Sequence, residues 1–136
     1  MRALALGLFS LMLWLGTHAY AQEAPDVQSI ITGQLDAIAH DDAATAYSFA
    51  APSIRERFGG ADEFMAMVKL AYPPVYRHRS VQFGKQARDG EEIQQGVVFV
   101  DADNDVWTGV YTLGRQSDGG RKITGCVIIR STDTSL

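Results

Sequence analysis

The sequence predicts an α+β fold: N-terminal helices packed in the concave face of a curved four-stranded antiparallel sheet. Three observations carry this expectation. Apolar residues recur at the helical period from Val27 to Ala71, they alternate from Val75 onward, and three polar turns cut the alternating half into four strands. Helices gathered ahead of strands, rather than interleaved with them, point to a segregated α+β arrangement.

The expected order begins with an export segment. Arg2 supplies a charged start, Ala3 to Gly16 form an apolar run, and Ala19-Tyr20-Ala21 place small residues where a signal peptidase reads. Residues 1–21 are therefore expected to be removed, with cleavage after Ala21. The run is shorter than the roughly 20 residues of a spanning helix, so no stable membrane anchor is expected after cleavage, and the protein is expected to be periplasmic or secreted. Residues 22–25 read as a leader, 26–131 as one domain and 132–136 as a flexible tail.

Asp26 is the expected N-cap of a first helix, with Val27, Ile30, Ile31, Leu35 and Ile38 on one stripe and Gln34 inside it. Asp41 or Asp42 caps a second helix that places Ala43, Ala46, Tyr47 and Ala50 together and stops at Pro52. A helical turn follows, ended by Gly59 and Gly60. A further helix buries Phe64, Met67, Val68 and Ala71. Pro73 and Pro74 read as an extended link, because the residue before a proline is pushed out of helical geometry. The first strand then puts Arg77, Arg79, Val81 and Phe83 on one face and His78 on the other. Lys85–Glu92 form a turn, and residues 93–100, 106–114 and 122–130 form the remaining strands.

Turn placement gives a register. Ile93 pairs with Leu113, Gln95 with Tyr111 and Phe99 with Trp107, and Leu113 pairs with Ile123. Continued without a break, the last pairing turns Val127 and Ile129 toward the helices and Cys126 and Ile128 away from them. The outer face is then too apolar for water. A homodimer through that outer sheet face is expected.

The chain is mildly acidic, with a net charge of −4, one step more negative once Arg2 is removed. A basic footprint for nucleic acid is missing, so no nucleic-acid partner is expected. Cys126 is the single cysteine, which excludes an internal disulfide, and its apolar run suggests an inert thiol. Asp101, Asp103 and Asp105 imitate the start of a calcium loop, but Val106 and Thr112 stand where glycine and glutamate are needed. With His18 removed, His40 and His78 remain; neither sits in a zinc-ligand cluster. No metal and no cofactor are expected.

The segments "QLDAIAHDDAATAYSFAAPSIRERFGGADEFMAMV", "YPPVYR", "VWTGVYTLGRQ" and "ITGCVI" resemble the bacterial family called domain of unknown function 4864, within the nuclear-transport-factor-2-like superfamily, or cystatin-like cone. The likeness covers nearly all of the chain after residue 21. It departs at "GGRKITG", where an aromatic residue near Lys122 is missing. The resemblance implies the cone fold and brings no established activity. The superfamily holds isomerases, dehydratases, binding modules and dimerisation domains, so the fold alone selects no function.

The inward-facing polar residues Gln34, Tyr47, Gln95, Trp107 and Tyr111, with Arg79 at the rim, are the candidates for a ligand pocket. None of them is a good base near neutral pH, so no catalytic residue is assigned. Asp36 and His40, four apart on a helix, read as a solvated surface pair. The leading expectation is an exported non-enzymatic domain that binds a small molecule or a protein partner. The alternative is an isomerase- or dehydratase-type enzyme with acid/base groups in the cone.

Overall fold

The computed structural model describes residues 24–131; the expected signal segment and the tail from 132 lie outside them. Five helices precede four strands: α1 (Pro25–Ala39), α2 (Ala43–Ser48), α3 (Pro52–Arg55), α4 (Ala61–Ala71), α5 (Pro73–Tyr76), β1 (His78–Asp89), β2 (Glu92–Asp101), β3 (Val106–Arg115) and β4 (Arg121–Arg130). The strands form one antiparallel sheet in sequence order, as hairpin connections require. The α+β class and the helices laid against the sheet are as expected. Among the described residues, no helix is long and apolar enough to cross a membrane.

The core lies between α1 and the sheet. Val27, Ile31, Leu35 and Ile38 of α1 are buried against Ile93, Val97 and Phe99 of β2, Tyr111 and Leu113 of β3, and Ile123 of β4. Helix α4 contributes Phe64, Met65 and Val68; Met65 takes the buried place expected of Ala71, which is exposed. Pro73 and Pro74 open a single helical turn rather than an extended link, with Tyr76 and Arg77 amides donating to Tyr72 and Pro73 carbonyls. Asp26 does not cap α1, whose N-cap is Ala24. Its carboxylate instead accepts two bonds from Arg121 of β4, at 2.8 and 2.7 Å, and so ties the first helix to the last strand.

The β2–β3 register is the expected one, from Ile93 opposite Leu113 to Phe99 opposite Trp107. Gly109 leaves room on this pair's inner face: a Cβ there would lie 3.3 Å from the Phe99 ring and 3.2 Å from Ile128. Three bulges depart from plain alternation. In β4, Leu113 pairs with Ile123 but Thr112 pairs with Gly125, leaving Thr124 as the extra residue. Every side chain beyond it changes face. Cys126 and Ile128 point toward the helices, whereas Val127 and Ile129 are 64% and 67% exposed, the reverse of the unbroken register. In β1 a bulge at Arg79 turns His78 inward, its ring 6.1 Å from Phe99, and leaves Arg79 exposed. The third bulge, at Gly84-Lys85, lets β1 continue to Asp89, so only Gly90 and Glu91 form the turn where a longer one was expected.

Gln95 holds that third bulge. It is fully buried, and its Nε2 donates to the carbonyls of Gly84 (3.0 Å) and Gly96 (2.9 Å). Its Oε1 accepts from Gln86 Nε2, and Gln86 in turn exchanges two bonds with the backbone of Ala24. A buried polar network in which each member is satisfied fixes one geometry, and removing a member leaves desolvated partners behind. Gln95→Ala should therefore cost about 2–4 kcal/mol, read as a lower urea midpoint with an unchanged slope. A variant as stable as the wild type would show that Gln95 does not hold the bulge.

Candidate functional site

A cavity of about 310 Å³ opens between α3, α4 and β4. Its floor is made of buried side chains: Gln34 and Ile38 from α1, Phe64 and Val68 from α4, Val75 from α5, Tyr111 from β3 and Ile123 from β4. Its rim is half-buried or exposed: Ile54, Arg57 and Phe58 around the α3–α4 connection, Met67 and Tyr72, and the bulged segment Thr124-Gly125-Cys126.

Local sequence explains the opening. The second helix stops at Ser48 rather than at Pro52 as expected, because Phe49 to Ala51 bond to Ile123 of β4; Pro52 starts α3, and Gly59-Gly60 end the connection before α4. The short stretch between them overhangs the sheet without covering it. The segment before α3 is pinned to β4, with Ala51 N donating to Ile123 O and Ile123 N to Phe49 O. The α3 side of the mouth is therefore fixed to β4.

The chemistry inside is neutral. Burial pushes the Cys126 thiol up to about 12. Burial, with Cys126 and Tyr72 nearby, raises the Tyr111 phenol well above its ordinary value. Tyr72 is raised by burial as well, and its hydroxyl donates to Cys126 O at 3.0 Å. Gln34 Nε2 donates to Ala46 O at 3.1 Å, which leaves Oε1 as its remaining acceptor. The lining contains neither carboxylate nor imidazole; Arg57 is its single charged side chain.

Of the expected pocket residues, Gln34 and Tyr111 line the cavity and the other four lie elsewhere. Tyr47 sits outside Phe64, its hydroxyl donating to Arg55 O at 2.8 Å and its ring under the Arg55 guanidinium. Gln95 belongs to the β1 bulge. Trp107 donates from Nε1 to Asp101 Oδ2 at 3.0 Å, a bond that lowers the Asp101 carboxyl below its usual range. Arg79 donates to Asn104 of the same turn. The Asp101–Asp105 turn is thus closed by its own bonds, with Asp101 Oδ1 accepting from the Asp103 and Asp105 amides. His40 bonds to the Asp36 carbonyl rather than to its carboxylate.

Arg57, Tyr72, Thr124 and Cys126 are lining residues that pattern reading missed. Tyr72 carried one signal, an aromatic residue at a helix end before proline. Cys126 and Thr124 carried none, since their placement depends on the bulge.

Residues 20–136 match the family described as Domain of unknown function (DUF4864). Among solved structures, Aln2 from a Streptomyces species is similar at a TM-score of 0.52 and 16% identity, over 79% of this chain and 93% of that one. A protein from Catenulispora acidiphila is similar at a TM-score of 0.51 and 14% identity, over 76% and 88%. At these identities the likeness is one of fold. No match was found among curated proteins.

The raised Cys126 and Tyr111 give a pH dependence. Both bind their protons more tightly folded than unfolded. The stability they contribute is whole below about pH 8.5, where an unfolded thiol still holds its proton, and is lost as pH climbs through about 12. Unfolding midpoints should be flat from about pH 6 to 8 and fall above about pH 9. Cys126→Ala should flatten part of the fall. Identical alkaline profiles for the two proteins would show that the thiol is not held in its protonated form.

Proposed function

The chain belongs to this family of unknown function, and from that premise we propose that it is an exported, non-enzymatic module holding a small apolar ligand in the cavity between its helices and its sheet. The carrying observation is the lining: apolar walls with a few uncharged polar atoms, the make-up of a small-molecule site. Isomerase or dehydratase chemistry needs a carboxylate or imidazole tuned by an apolar pocket. Asp36 of α1 and His40 at its C-cap are exposed, and His78 packs on Phe99 with its Nδ1 bonded to Val75 O and does not itself line the cavity. Tyr111 and Cys126 keep their protons at neutral pH and make poor bases. Export rests on the sequence of residues 1–21, and the family match begins at residue 20, beside the proposed cut.

Decanol tests the cavity. Saturating amounts should raise the melting temperature by several degrees, since ligand at about 100 times its Kd adds about 2.7 kcal/mol. Met67→Trp, which fills the rim, should abolish the rise. A wild type unmoved by decanol would refute the cavity reading.

A second reading, compatible with the first, is homodimerisation through the outer sheet face. Val127 and Ile129 stand out of that face, joined by Val106 and Val110, each 41% exposed. Around them lie the uncharged residues Ser80, Gln82, Gln94 and Thr108, and Asp89 and Glu92 sit at the far end of the same face. Burying a valine or isoleucine is worth about 1.5–3 kcal/mol, and symmetry doubles each contribution. Sedimentation at micromolar concentration should give a dimer for the wild type and a monomer for the Val127→Lys, Ile129→Lys variant. A monomeric wild type would refute the dimer.

A further inference from the structure

We propose that the ligand is an apolar monocarboxylate, its body in the cavity and its carboxylate on Arg57; this rests on the cavity reading above. Arg57 is the single charged side chain of the lining, and its guanidinium has no ion-pair, hydrogen-bond or ring partner among the described residues. Most other arginines are engaged: Arg55 and Arg77 lie over tyrosine rings, and Arg79, Arg115, Arg121 and Arg130 bond to side chains or carbonyls. An idle guanidinium over an apolar cavity that holds no carboxylate offers an anion a planar two-donor fork and no repulsion.

The charge count selects the anion. One arginine, without a second cation in the lining, neutralises one negative charge, which favours a carboxylate over a doubly charged phosphate. The floor selects the body. Ile38, Phe64, Val68, Val75 and Ile123 present carbon there, and Gln34 already donates to Ala46 O, so an apolar body meets mostly apolar walls. The size follows from about 310 Å³, the low end of small-molecule pockets at about 300–1,000 Å³, which suits a chain of medium length.

The test is calorimetric titration of the purified protein with decanoate and with decanol, both below the concentrations at which they form micelles. Decanoate should bind the wild type at least about tenfold more tightly than decanol, as a charge-assisted bond implies. Arg57→Gln should remove that difference and leave decanol binding unchanged. Arg57 is exposed and unpaired, so this variant should melt with the wild type. Decanol binding as well as decanoate, or decanoate binding insensitive to Arg57→Gln, would overturn the carboxylate while leaving the cavity reading intact. If neither compound binds the wild type, both readings fall.

Discussion

One extra residue in β4 decides what both faces of the sheet present. Thr124 opposes no partner of its own, because Leu113 and Thr112 pair with Ile123 and Gly125 on either side of it. Its hydroxyl donates to Thr112 at 3.1 Å, which fastens the bulge to the neighbouring strand. Past this point the strand's alternation is inverted. Cys126 enters the cavity wall opposite Tyr111 in the ladder, while Val127 and Ile129 emerge on the convex side. Side chains repeat every two residues along a strand, so a single insertion exchanges whole sets. The unbulged register would put Val127 and Ile129 against the helices and take the thiol out of the pocket.

The second constraint is how the interior handles polar atoms. Gln95 and Gln34 are the buried polar residues of the described core, and each makes hydrogen bonds to backbone carbonyls. Gln95 commits its hydrogen bonds to the β1 bulge and to Gln86, which holds Ala24 and so the start of α1. Gln34 commits one donor to Ala46 and keeps its oxygen. Two residues of the same type thus differ in role by what remains after the fold is served. That unmet capacity, and not polarity as such, separates a site group from a structural one.

Much of this was legible in the chain. The change of period near Pro73 separated helices from strands, and the Asp101–Asp105 turn fixed the β2–β3 register pair by pair. What failed was local. The alternation of Arg77, Arg79, Val81 and Phe83 looks continuous, yet the bulge at Arg79 places His78 with Phe99. A bulge adds one residue without changing composition, so periodicity cannot register it. The pocket suffered from the same blindness. Gln34 and Tyr111 were found because they lie on unbroken elements, α1 and β3. Trp107 was drawn in by its inner-face position, although its indole N–H is taken up by Asp101 at the hairpin end. Arg57 was overlooked because it lies in the connection between two short helices, where no periodic signal exists.

The bulge also separates the two surfaces that the proposed function uses. Cys126 and Val127 are consecutive in β4, yet one faces the cavity and the other the convex side, so a ligand and a second copy of the chain would meet different side chains of one strand. Packing carries strain through such a strand because interiors are dense. Thr124, bonded to Thr112 and lining the cavity rim, is where the cavity touches the bulge itself. A ligand that pressed on Thr124 would load the bulge that sets Val127 and Ile129 outward. A body that fits within the existing volume would leave the bulge at rest, and binding and association would then be thermodynamically independent.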